Sequence, residues 1–169
     1  LLLDWMGEPV CGTHVGTNLG TPWMEAEGTS NVSLRFRSGA TAYHFGTWGA
    51  RGSRLRYAVH AHSEQGMLEL DHAAGTITLH QDSSGGDLPA QGGEGKDKKT
   101  QSGPSQTLLY QREGEASKHV VEQMAAFLDC IEFKKIPAVT AKASLRSLQV
   151  IWKLYAAEKD GIVADLSGI

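Results

Sequence analysis

A chain of 169 residues with a net charge of −3 and 40% apolar content is long enough for one domain with its own core. That balance lacks the basic excess of a nucleic-acid binder, and no run approaches the roughly 18 apolar residues of a membrane-spanning helix. Two cysteines, Cys11 and Cys130, stand far apart without CxxC or Cys/His ligand spacing. They read as buried thiols of a reducing, cytoplasmic compartment rather than as a disulfide framework.

The first residues, LLLDWM, have the pattern of the last turns of an amphipathic helix, ended by Gly7 and Pro9. A chain that opens inside a helix is expected to be a fragment of something longer. Residues 10–19 (VCGTHVGTNL) form a Gly- and Thr-rich strand candidate, and residues 20–29, with Pro22 and two glycines, a connection. Residues 30–81 are the longest strand-like run, each segment closed by a turn signal: Ser38-Gly39, the Gly49-to-Gly52 stretch, Gln65-Gly66 and Ala74-Gly75. Apolar and polar residues alternate through VSLRFR, MLELD and TITLH, so one face of each strand is buried. Short turns make the pairing antiparallel, which predicts a single meander sheet.

Residues 82–105 (DSSGGDLPAQGGEGKDKKTQSGPS) are low in complexity and rich in Gly, Ser and charge, and predict a solvated insertion. A short strand is expected at TLLY, residues 107–110. Residues 117–133 then place Val120, Val121, Met124, Phe127, Leu128 and Ile131 on one helical stripe. Ile136-Pro137 ends that unit, and Thr140 is an N-cap candidate for a second helix. The second helix carries Leu145, Leu148, Ile151, Trp152, Tyr155 and Ala156 as its stripe, with Gly161 as its stop and a final strand at residues 162–166. The fold class expected is α+β: a two-layer, mainly antiparallel open-faced sheet with helices on one face, forming a single domain over 1–169. The other face is left to a partner surface.

The closing segment, HVVEQMAAFLDCIEFKKIPAVTAKASLRSLQVIWKLYAAEKDGIVADL, resembles the end of a Gfo/Idh/MocA-type oxidoreductase. The residues that carry the likeness are Glu122, Phe127-Leu128-Asp129-Cys130-Ile131, Lys134, Pro137, Leu145, Tyr155, Gly161 and Val163. The run LRFRSGA at 34–40 is similar to that family's hairpin, SEQGMLEL at 63–70 to its Gly-Glu-x-Gly turn, and LLLDWMGEPV to the end of its catalytic-His helix. The resemblance covers nearly the whole chain outside residues 82–105. It implies a C-terminal domain whose bare sheet face packs on a second subunit as a homodimer. No Rossmann domain is present: no GxGxxG follows a strand, and Glu158-Lys159 is followed by Asp160 rather than by Pro.

By that resemblance the complete protein uses NAD or NADP to move a hydride between nicotinamide C4 and a carbinol carbon of a sugar, polyol or related small-molecule substrate. The Lys and His that handle the hydroxyl proton are expected upstream of Leu1, so this fragment holds no catalytic residue and binds no cofactor. A missing N-terminal Rossmann domain is the implied partner, with no nucleic acid or membrane. The alternatives are a domain of a non-enzymatic sugar- or nucleotide-sensing regulator and a structural dimerisation domain.

Trp48, Arg51 and Arg54, on a Gly-flanked connection, are the candidate substrate-binding residues, suited to a polyol or acid sugar by stacking and charged hydrogen bonds. Trp23 is a further candidate for the same pocket or the subunit contact. The bland reading of these residues is a hairpin connection with solvated arginines. His60 and His62 alternate on one strand face as a metal pair would, but without a third ligand in the sequence they read as sheet-face residues. His14 and His44 read as hydrogen-bonded strand residues, and Asp4 as a helix-end charge.

Overall fold

The computed structural model describes residues 1–54, 56–81, 105–114 and 119–169. Its elements are α1 (Leu2–Met6), β1 (Pro9–Thr17), β2 (Thr29–Phe36), β3 (Thr41–Thr47), β4 (Ala58–Ser63), β5 (Gly66–Asp71), β6 (Thr76–Gln81), β7 (Ser105–Gln111), α2 (Val120–Glu132), α3 (Ala141–Asp160) and β8 (Ala164–Asp165). The protein is α+β, with antiparallel sheets as expected. The strands divide into two sheets of four, ordered β3-β2-β1-β8 and β4-β5-β6-β7.

The single meander expected over residues 30–81 is therefore broken. Between Thr47 and Ala58 the described residues form no strand, and a ten-residue span with Gly49 and Gly52 exceeds the two to five residues or so of a hairpin loop. The chain correspondingly falls into two compact units, residues 1–51 with 121–169 and residues 52–120.

In the first unit, β1 pairs with β2 over its whole length, Gly12 opposite Leu34, His14 opposite Val32 and Gly16 opposite Ser30. Residues opposite one another share a sheet face. Gly12, Leu34 and Ala42 thus lie on one face, and Val15, Asn31 and Phe45 on the other. The core forms on the first face from Leu34, Phe36, Val150, Leu154, Ala157, Ala164 and Leu166. Phe36 is 1% exposed and Leu166 is fully buried. Gly12 admits α3 at close range: a Cβ there would stand 2.7 Å from Leu34 Cδ2, 2.8 Å from the Ser33 carbonyl oxygen and 3.2 Å from Leu154 Cδ2. On the second face, among the described residues, Val15, Tyr43 and Phe45 are exposed.

Helix α3 is bounded as expected. Thr140 caps it by accepting the Ala143 N–H at 3.2 Å, and Gly161 ends it in the left-handed conformation at φ 66°. Its buried side corrects the expected stripe. Val150, Leu154 and Ala157 are the buried residues, whereas Leu145, Leu148, Ile151, Trp152 and Tyr155 remain substantially exposed. A helix apolar on more than one side has a legible period but not a legible direction of packing. Helix α2 forms with its stripe as read, yet none of its residues is buried; α3 covers the first sheet, joined by Leu2, Leu3 and Met6 of α1, which pack against the same core.

In the second unit, β4, β5, β6 and β7 form a meander. The turn at Gly75 has φ 72°, a conformation glycine adopts without strain. The strand expected at 107–110 runs from Ser105 to Gln111. Of the insertion expected over 82–105, residues 82–104 lie outside the described residues. Both cysteines are free but half-buried rather than buried. Among the described residues no helix is long and apolar enough to cross a membrane.

Candidate functional site

The first unit concentrates its polar chemistry where the C-terminal turns of α3 meet β1. The pattern Gly12-x-His14-x-Gly16 puts one large side chain between two missing ones on the helix-covered face. His14, 7% exposed, occupies that place. Its Nδ1 lies 2.5 Å from Glu158 Oε2 and its Nε2 2.8 Å from Ser30 Oγ. The other Glu158 oxygen accepts the Gly16 N–H at 2.7 Å. Strand β8 pairs with β1 only at Cys11 and Gly12, so the Glu158 carboxylate takes an amide on the part of the β1 edge that β8 leaves open.

These bonds set the acidity of the group. The Gly16 N–H, and then His14, hold the Glu158 carboxyl below its ordinary value, against the opposing pull of partial burial. One turn earlier on α3, Tyr155 donates its hydroxyl to the carboxylate of Glu27, and its ring meets that of His14 edge-on at 4.8 Å. The bond to Glu27, followed by desolvation and the charges of Glu27 and Glu158, pushes the Tyr155 hydroxyl up to about 12. With both imidazole nitrogens engaged, the cluster braces α3 against the β1–β2 pair and leaves Ser30, His14 and Glu158 in series.

Glu27 belongs to the connection between β1 and β2, which also carries Trp23. That connection folds on itself around Thr21, fully buried, whose N–H and hydroxyl both reach the Asn18 carbonyl, at 2.9 and 3.1 Å. Gly28 closes it, donating to the Thr17 carbonyl at 3.0 Å and accepting the Trp48 N–H at 2.8 Å. Thr47 adds a side-chain bond to Thr29 at 2.7 Å and accepts the Gly49 N–H at 3.0 Å. The backbones bearing Trp23 and Trp48 are thereby tied to one corner of the first unit. Both indoles face outward, 65% and 81% exposed.

Of the four residues expected to bind substrate, the structure thus joins the connections of Trp23 and Trp48. Arg51 is exposed at the limit of the first unit, and Arg54, also exposed, falls in the second. His14, Glu158, Tyr155 and Glu27 were not among the expected site residues. The Gly-x-His-x-Gly pattern was the one signal for them, because glycines on a strand face mark a close neighbour. His60 and His62 share a face, as read, with ring centroids 6.5 Å apart. They stand opposite Glu69 and Met67, and Glu69 Oε2 lies 2.8 Å from His80 Nε2. Among the described residues no three His, Cys, Asp or Glu side chains could hold a metal ion together.

The corner tolerates little change at Gly28. A Cβ there would stand 2.5 Å from Thr21 Cβ and closer still to the Thr21 hydroxyl. Gly28→Ala is expected to cost about 1–3 kcal/mol, read as a lower thermal midpoint, and an unchanged midpoint would show that Thr21 can yield.

No protein-family profile matches the chain, and no curated protein does. Solved structures do. The chain is similar to the aldose-aldose oxidoreductase of Caulobacter crescentus, solved with glycerol, at 21% identity and a TM-score of 0.63, covering 94% of this chain and 42% of that one. It is similar to the WlbA dehydrogenase of Bordetella pertussis, solved with NADH and UDP-GlcNAcA, at 18% identity and a TM-score of 0.63, covering 98% and 42%. An oxidoreductase of Agrobacterium radiobacter, solved with NAD+, L-tartaric acid and magnesium, matches at 11% identity and a TM-score of 0.69, covering 98% and 45%. The chain therefore has the fold of one part of these oxidoreductases and spans less than half of their length. The Gfo/Idh/MocA resemblance holds at the level of fold.

Proposed function

We propose that this chain is the C-terminal substrate-binding and subunit-pairing domain of an NAD(P)-dependent oxidoreductase acting on a sugar, polyol or related compound. One observation carries the reading. The fold matches nearly all of this chain, but under half of oxidoreductases solved with glycerol, with NADH and UDP-GlcNAcA, or with NAD+ and L-tartaric acid. The nucleotide-binding domain and the proton-transfer Lys and His belong to the remainder of such an enzyme, so these residues alone bind no nicotinamide. Trp48 and Trp23 offer flat, exposed rings for stacking on a sugar, and Arg51, in the same unit, offers donors to its hydroxyl or carboxylate groups. The second face, with Val15, Tyr43 and Phe45, is the pairing surface for a second copy. The free thiols agree with a cytoplasmic setting.

The test is saturation-transfer NMR of the 169-residue chain with aldoses, polyols and a UDP-hexuronic acid, at millimolar concentration. Transfer to a sugar or polyol ring is expected, and Trp48→Ala should weaken it about tenfold, the equivalent of roughly 1.4 kcal/mol. No transfer from any member of the panel, or tight binding of NAD or NADP, would overturn the reading. Sedimentation should show a dimer. A dimer that binds neither sugar nor nucleotide would favour a purely structural pairing domain.

A further inference from the structure

The connection bearing Trp23 is longer than a hairpin loop, and most of its bonds are internal to it or reach β1 and the start of the next connection: Thr21 to Asn18, Met24 to Thr21, Gly28 to Thr17 and to Trp48. A side-chain bond ties it to the helix layer, the one between Glu27 and Tyr155. Glu27 can lie there because β1 has a glycine beneath it. A Cβ on Gly16 would stand 3.0 Å from Glu27 Cβ and 3.1 Å from Glu27 Cγ. The Tyr155 ring itself makes a T-shaped contact with the His14 ring, and His14 is held by Glu158 and Ser30. A continuous run of contacts therefore leads from the floor of β1 and β2, through α3, to the loop that presents the indoles.

We propose that Glu27 is a positioning residue. By accepting the Tyr155 hydroxyl over Gly16, it sets the placement of the 18–28 connection on α3, and with it the orientation of Trp23 and, through Gly28, of Trp48. The proposal rests on the reading of these two residues as substrate contacts. It deepens that reading by assigning their alignment to a carboxylate that touches no substrate itself. Loss of this bond loosens the indole-bearing corner without opening the core beneath it, because Phe36, Leu154 and Leu166 lie in a separate apolar cluster.

Hydrogen exchange on the full chain tests this directly. In Glu27→Ala, and equally in Tyr155→Phe, the amides of Thr21, Met24, Gly28 and Trp48 are expected to exchange about tenfold faster. Those of Leu34, Phe36 and Leu154 should keep their wild-type rates. The double variant should add nothing to either single one, since both remove the same bond. Glu27→Gln keeps an acceptor oxygen and should restore most of the protection. Wild-type exchange at Gly28 and Trp48 in Glu27→Ala would overturn the proposal. So would acceleration spread evenly over β1, β2 and α3, which would mark Glu27 as a general stabilising residue. If no sugar binds the unmutated chain, the substrate reading of Trp23 and Trp48 fails instead, and the exchange comparison still decides whether Glu27 holds the loop.

Discussion

Phe36→Ala is expected to destabilise the first unit by about 3–5 kcal/mol, through lost burial and the cavity left behind. Phe36 is 1% exposed and packs among Leu34, Val150, Leu154, Ala157, Ala164 and Leu166. It therefore joins the end of β2 to both α3 and the closing strand. Domains have only about 5–15 kcal/mol of stability to lose. With a urea slope of about 1–3 kcal/mol per molar, the midpoint should fall by at least about 1 M, followed through the exchange of β2 amides. Phe127→Ala is the contrast. Phe127 lies on the exposed stripe of α2, and its removal should change stability by no more than about 0.5 kcal/mol. Equal effects of the two substitutions would contradict the assignment of the core.

Glu158→Ala carries the second large effect. It leaves the His14 ring nitrogen and the Gly16 N–H without their acceptor. An orphaned polar group of this kind costs about 1–3 kcal/mol, less where water can reach it, as it can at the Gly16 edge. The bond also makes stability depend on pH, with a sign that follows from the direction of the shift. The Glu158 carboxyl titrates below its ordinary 4.5 in the folded chain. The unfolded state therefore takes up its proton first as the pH falls. This contribution is complete above about 4.5 and is lost as the pH drops through the lower, folded value. Urea midpoints measured between pH 6 and pH 3 should fall less steeply in Glu158→Gln than in the unmutated chain. Parallel slopes would show that Glu158 is not the group responsible.

What could be read from the residues was whatever is decided over a few positions. The turns at Ser38-Gly39, Gln65-Gly66 and Ala74-Gly75, the Thr140 cap and the Gly161 stop were all legible, because each is a local backbone requirement that few residue types meet. The division into two sheets was not, since a Gly-containing stretch looks the same whether it turns a hairpin or leaves a sheet. The packing direction of α3 was illegible for a related reason. Ile151, Trp152 and Tyr155 outweigh Val150, Leu154 and Ala157 in apolar bulk, but Gly12 on β1 selects the smaller set by allowing Leu154 to approach. The candidate site was half legible. Trp23 and Trp48 could be named as exposed aromatics on connections, whereas the brace beneath them joins His14 to Glu158 across 144 positions and Glu27 to Tyr155 across 128. No periodicity spans such separations.

The carboxylate on Gly16 has one more consequence. A strand whose outer amides are unclaimed can recruit another strand and so begin a chain of intermolecular pairings. On β1, the Val10 carbonyl is taken by Leu166 at 2.9 Å, Cys11 and Gly12 are matched by β8, and Gly16 is taken by a negatively charged side chain. The margin is sealed at both ends, the second time by a charge that repels an incoming backbone carbonyl. A helix residue that lies outside the sheet altogether thus closes part of its margin to strand recruitment.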